Sequence, residues 1–195
     1  MPSSSKTVLT EPIFLVGFMC SGKTTLGEAL AKSLGVPFVD LDLYIEKSLG
    51  CTISRIFATV GEAEFRRIEA DALEKLIADT KDCPCIIAVG GGTPCRPGIM
   101  ERINKSGISV HLVAPNERLV ERLMLGADKR PLVSGKSHDE MYSLVEGMLA
   151  QRKPFYSLAN HSFDSSLLED ESQIKESSER FISEILNIKI KQFFR

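Results

Sequence analysis

A chain of 195 residues with 43% hydrophobic and 26% charged residues can bury one sizeable core, and its composition excludes global disorder. Lys plus Arg (24) nearly balance Asp plus Glu (26), for a formal charge of −2. No net basic field therefore draws the chain to nucleic acid or an anionic membrane, and any phosphate it binds must be held by a local site.

In chain order, residues 1–12 carry several Ser and Thr and little apolar content, and read as a flexible N-terminal tail. The apolar run that follows, at 13–20, falls far short of the roughly 20 residues that span a bilayer. Glu11 and Pro12 ahead of it and bulky Met19 near its end do not suit a secretory signal. Short runs rich in β-branched residues at 13–16, 37–39, 86–89, 108–113 and 161–164 predict strands, and helical spacing at 23–34, 41–49, 62–78, 98–105 and 116–124 predicts helices between them. That alternation implies an α/β fold, with right-handed crossovers and a parallel sheet covered on both faces, in a single domain over 13–190.

Two stretches break the alternation. Residues 41–78 are almost continuously helical, interrupted by Gly50 and Gly61, and predict a helical excursion between the second and third strands. Residues 125–137, LGADKRPLVSGKS, have no periodicity and predict a mobile loop. Ser137 and Glu140 then form a capping box opening a helix that Pro154 is expected to end, and 167–186 reads as a last amphipathic helix. Cysteines at 20, 51, 83, 85 and 95 form an odd set with neither disulfide-framework nor zinc-ligand spacing, which points to reduced thiols in a cytoplasm.

The chemistry begins at GFMCSGKT, residues 17–24, a full match to G-x-x-x-x-G-K-[ST] directly after a strand and opening a helix. The glycines let backbone wrap a polyphosphate, the helix N-terminus supplies donors and positive potential, Lys23 reaches the terminal phosphates, and Thr24 offers a hydroxyl to Mg²⁺. The third strand runs into Gly90, Gly91 and Gly92 rather than a metal-serving carboxylate, and no Asn-Lys-x-Asp guanine reader is present, which argues against a GTPase switch. The carboxylates appear instead at the second strand's end, as Asp40 and Asp42. Such a pair serves either as a helix N-cap with a first-turn acid or as a metal carboxylate with a general base.

Three arginines stand out. Arg66 lies one turn from Glu69 on the flank of an apolar stripe, as a surface ion pair or part of a site. Arg152 falls on the apolar side of its helix, where an unpaired guanidinium is costly, so an anion should meet it. Arg130, held extended by Pro131 within the predicted loop, is placed like an arginine finger carried by a lid.

Together GFMCSGKT at 17–24, DLD at 40–42, GEAEFRRIE at 61–69, GGG at 90–92, KRP at 129–131 and QRKPFY at 151–156 resemble shikimate kinase, in order from about residue 13 to residue 164. The resemblance implies a three-layer P-loop sandwich, a five-stranded parallel sheet of order 2-3-1-4-5, a substrate-binding helical region at about 41–78 and a lid at about 125–137. It implies transfer of a phosphoryl group from ATP, with Mg²⁺, to the 3-hydroxyl of shikimate; apart from the resemblance, a monomer is expected.

Carried onto this chain, it places Lys23, Asp42 and Arg130 in catalysis. ATP falls to Cys20, Ser21, Gly22, Lys23, Thr24, Thr25 and Arg130, with Arg122 stacking on adenine, and the metal to Thr24 and Asp40. Asp42, Arg66, Glu69, Gly90, Gly91, Gly92 and Arg152 surround shikimate. Cys20 departs from the small Gly, Ala or Ser frequent at that P-loop position, which implies an oxidant-sensitive ATP site. A gluconate kinase would share the P-loop and lid without the full DLD, FRRIE and GGG set. A silent nucleotide-binding protein would lose Asp42, Arg66 and Arg152, and this chain keeps all three.

Overall fold

The computed structural model describes residues 9–81, 83–125 and 135–186. The strands β1 (Ile13–Val16), β2 (Phe38–Asp40), β3 (Ile86–Ala88), β4 (Ile108–Val113) and β5 (His161–Asp164) form one all-parallel sheet of order β2-β3-β1-β4-β5. β1 is central, and all four of its side chains are fully buried, each stabilising the fold by about 1.5–3 kcal/mol. Ile13 and Leu15 face one layer, Phe14 and Val16 the other, the two-residue alternation of a strand buried on both sides.

The first layer packs α1 (Lys23–Leu34) and α7 (Glu171–Phe181), continued by a π-helical turn at Ile182–Leu186, over Ile13, Leu15 and Val110. The second packs α2 (Leu41–Leu49), α3 (Ile53–Asp79) and α4 (Ile99–Ser106) over Phe14, Val16 and Ile87. A third cluster joins α5 (Asn116–Leu125) and α6 (His138–Tyr156) to Phe18 at the sheet's carboxyl end. No described helix is long and apolar enough to cross a membrane.

The helical excursion is α2 and α3, broken at the two glycines that sequence singled out. Gly61, at φ +77° and ψ 176°, interrupts α3 in a conformation that side-chain-bearing residues rarely adopt. The first piece, from the Thr52 cap to Val60, can thus fold Phe57 back over Phe65 at 4.3 Å between ring centroids.

Three details differ from expectation. Leu9, assigned to the N-terminal tail, is buried with the α1–α7 core. The last amphipathic helix starts only at Glu171, after the Asp170 side chain caps it. Pro154 does not end α6, which continues to Tyr156. So near the terminus proline costs only one ladder bond, and Tyr156, buried among Phe18, Met141 and Val145, holds the final turn in place. The centre of the expected lid, including Lys129, Arg130 and Pro131, lies outside the described residues.

Candidate active site

The loop from Gly17 to Gly22 joins β1 to α1 at the carboxyl end of the central strand, where parallel sheets place their ligands. Gly22 caps α1 at φ +92° without any side-chain bond, and the first turn contains no acid. The opening N–H groups of α1 are therefore left for an anion. The Ser21 hydroxyl, buried in this loop, has no partner among the described residues. Lys23 folds back to donate to the carbonyls of Gly17 (2.9 Å) and Phe18 (2.8 Å). Burial lowers its pKa to about 8, although Asp42 and Asp40 pull the other way.

For Asp40 and Asp42 the helix-cap reading is seen directly. Asp40 Oδ1 caps α2 by accepting from the Asp42 N–H at 3.0 Å and the Leu43 N–H at 3.4 Å. Its other oxygen accepts from the Thr24 hydroxyl at 2.9 Å. Hydroxyl and carboxylate thus meet beside the phosphate cradle, a donor set suited to Mg²⁺, which takes few protein oxygens and completes its shell with phosphate and water. No cluster of three or more His, Cys, Asp or Glu ligands exists among the described residues, so the metal would depend on that sharing. Asp42 is turned inward, and burial, with Asp40 and Glu69 nearby, raises its pKa to about 6. A carboxyl so tuned can take a proton near neutrality.

The acceptor side gathers around the three glycines. A methyl at Gly90 would meet Thr93 Oγ1 at 2.9 Å, Glu69 Oε1 at 3.0 Å and Asp42 Oδ1 at 3.1 Å, and one at Gly92 would meet both terminal nitrogens of Arg66 at 2.9 Å. Glu69 is 1% exposed. Its two oxygens accept from the Thr93 hydroxyl at 2.7 Å and from Arg66 at 3.0 Å. Arg66 also bonds Glu62 at 3.2 Å and lies 5.9 Å above Phe57 and 5.3 Å above Phe65. Glu69 therefore aims Arg66 rather than merely decorating a surface. Arg152 projects beside Gly91, its guanidinium 5.4 Å from the Phe18 ring centre, and no carboxylate pairs with it among the described residues. The anion that the sequence leads one to expect at Arg152 is therefore not supplied by the described residues.

A cleft of about 590 Å³ beyond the phosphate cradle is lined by Cys20, Gly22, Lys23, Thr24, Thr25, Arg122, Leu168 and Glu169, among others. Arg122 ties the cleft's far wall to the P-loop, donating to the carbonyls of Cys20 (3.3 Å), Ser165 and Ser166 (both 3.1 Å) and to the Glu169 carboxylate at 3.0 Å.

Sequence reasoning missed Thr93, Phe57, Tyr156, Leu168 and Glu169. Thr93 directly follows the glycines, and Tyr156 lies one helical turn after Arg152, so both had a local signal. Leu168 and Glu169 had none, because only the tertiary fold lays them across Gly22 and Arg122.

A family model for shikimate kinase matches residues 19–193. A shikimate kinase of Bacteroides fragilis is 40% identical over 178 residues, covering 91% of this chain and 97% of that protein. The crystal structure of shikimate kinase from Bacteroides thetaiotaomicron superposes with a TM-score of 0.83 at 38% identity, covering 91% of this chain and 99% of that one. Shikimate kinase from Acinetobacter baumannii, solved in complex with shikimate, gives a TM-score of 0.79 at 30% identity, covering 92% and 95%. A gluconokinase from Sinorhizobium meliloti matches at 16% identity with a TM-score of 0.57, covering 95% and 98%, a likeness of fold alone.

Proposed function

Because this chain belongs to the shikimate kinase family, we propose that it phosphorylates the 3-hydroxyl of shikimate with ATP, releasing shikimate 3-phosphate and ADP. The observation that carries this reading is the position of Asp42. It lies between the Lys23 loop and the Arg66–Glu69–Thr93 corner, with its pKa raised to about 6.

Lys23 and the open N-terminus of α1 hold the β and γ phosphates. Arg66 and Arg152 clamp the shikimate carboxylate, and the glycine loop lets the ring lie against backbone. Asp42 accepts the 3-hydroxyl proton as that oxygen bonds to the γ-phosphorus and the bond from phosphorus to the β–γ bridging oxygen breaks, leaving ADP. Thr24 and, through water, Asp40 would hold Mg²⁺, which supplies charge neutralisation on the phosphate oxygens. Lys23 leaves its own loop's carbonyls when phosphate arrives, because the anion is the better partner. Arg130 is assigned to the transferring phosphoryl group and Arg122 to the adenine cleft.

The near-neutral charge and five unpaired thiols support a cytoplasmic protein without nucleic acid or membrane partners, and we assign it as a monomer. The test is ADP release measured across shikimate, quinate and gluconate. Turnover with shikimate is expected, and its absence would sink the assignment, with gluconate turnover moving it to the gluconate kinases.

A further inference from the structure

Beneath Arg152 lies a buried phenol to which the mechanism above gives no role. Tyr156 is 1% exposed, and its hydroxyl donates to the Gly91 carbonyl at 2.6 Å. Burial pushes the phenol well above its usual pKa, so it remains a donor across the working range. The ring rests, tilted by 34°, against His111 of β4 at 4.9 Å between centroids. Burial and the Lys23 ammonium hold that imidazole below its ordinary pKa, so it supports the phenol as a neutral ring. Arg152 and Cys95 flank the hydroxyl. The Cys95 thiol, 3.8 Å from the same carbonyl, is a far weaker donor.

The peptide joining Gly91 to Gly92 is planar and trans, so an anchor on its carbonyl also fixes the direction of the Gly92 N–H, opposite to it. That N–H meets no acceptor among the described residues. It lies in the corner of Arg66, whose guanidinium is 2.9 Å from where a Gly92 methyl would stand. A Gly-Gly peptide turns easily, lacking side chains to hold it. We propose that Tyr156 is a positioning residue for the acceptor: by holding the Gly91 carbonyl it aims the Gly92 N–H at the acceptor as a fixed donor beside Arg66. The proposal rests on reading this corner as the shikimate pocket.

Tyr156→Phe keeps the ring, its volume and its contact with His111, and removes only the hydroxyl. In the full chain labelled with ¹⁵N-glycine and free of substrate, the Gly91 and Gly92 amide signals should shift, while those of Gly35 and Gly50, which close α1 and α2, stay in place. Shikimate KM should rise about 3- to 10-fold, the scale of one net hydrogen bond, with kcat and ATP KM within about twofold of the parent. Unmoved Gly91 and Gly92 signals overturn the proposal, as does an unmoved shikimate KM in an active enzyme. A lowered melting temperature with both KM values raised together also overturns it, by showing that the hydroxyl merely holds the fold. A parent protein inactive on shikimate defeats the assigned function instead, and the glycine spectrum still decides whether Tyr156 sets this peptide.

Discussion

On the donor side, one contiguous loop provides both the cation and the carbonyls that hold it, since Lys23 bonds back to Gly17 and Phe18. On the acceptor side, Asp42 from α2, Arg66 and Glu69 from α3, Thr93 after β3 and Arg152 from α6 must converge from separate elements. The first half holds its cation on its own carbonyls before any ligand binds. The second leaves a desolvated Asp42 and, among the described residues, an Arg152 with no carboxylate, the two ends at which the proposed hydroxy acid would bind. Damage to the donor half should thus appear in the rate of transfer, and damage to the acceptor half should divide between rate at Asp42 and affinity at the arginines.

The largest break should come from Lys23→Ala, which removes the charge assigned to the transferring phosphate. We expect kcat to fall by about 10³-fold or more with the circular dichroism spectrum unchanged. A purified mutant with near-parental turnover would remove the P-loop from the mechanism.

Next comes Asp42→Asn, expected to lower kcat by roughly 10²-fold while ATP binding holds. The pH profile sharpens this. In the free enzyme Asp42, at about 6, must be deprotonated to act as base, and Lys23, at about 8, must stay protonated to hold phosphate. Parental kcat/KM for shikimate should therefore climb as pH rises through about 6 and decline as it passes about 8. The mutant should lose the lower limb, and its upper limb should move to lower pH because Asp42 no longer holds the Lys23 pKa up; a surviving lower limb would assign the base elsewhere. Asp40→Asn should instead raise the Mg²⁺ requirement, so Mg²⁺ rescue of the Asp42 mutant but not of the Asp40 mutant would reverse the two roles.

Arg152→Ala should raise shikimate KM by about 10- to 100-fold, the worth of charge-assisted bonds to a carboxylate whose charge is the same before and during transfer. Arg130→Ala, at the residue assigned to the transferring phosphoryl group, should chiefly lower kcat. Exchange of these signatures would place the acceptor under the lid.

The smallest effect belongs to Cys20, held at φ +61°, a left-handed conformation that costs a side-chain-bearing residue roughly 1–2 kcal/mol. Cys20→Gly relieves that strain but loosens the unfolded chain, so the melting temperature should move by no more than about 4 °C. A thiol-blocking reagent should raise the parent's ATP KM and leave the glycine variant's unchanged. Equal sensitivity in both would place the reactive thiol at one of the other four cysteines.

Much of this arrangement could be read from the chain because its signals are local. Three of the five strands and the helix at Lys23–Leu34 lie at their expected bounds, since apolar periodicity and a glycine at each helix end define them. The P-loop, the DLD pair and the Arg66–Glu69 turn are likewise short-range patterns. Pro154 misled because its penalty depends on distance from the helix end and on what holds the last turn, and here Tyr156 does so. Phe57 could not be foreseen over Arg66, because that contact depends on the angle at which Gly61 breaks α3. Leu168 and Glu169 were out of reach for the same reason: pairings with Gly22 and Arg122 arise only once β5 docks on β4.

The sheet order also sets when, during synthesis, the protein becomes able to bind its nucleotide. β1 leaves the ribosome first yet pairs with β3 and β4, which follow only from residues 86 and 108. At about 5–20 residues per second the P-loop waits on the order of ten seconds for its strand's neighbours. The cleft closes later still, when Leu168 reaches Gly22 and Arg122 gains the Ser165 and Ser166 carbonyls. ATP therefore stabilises most the chain in which the strands flanking β1 and the Arg122 contacts are already in place.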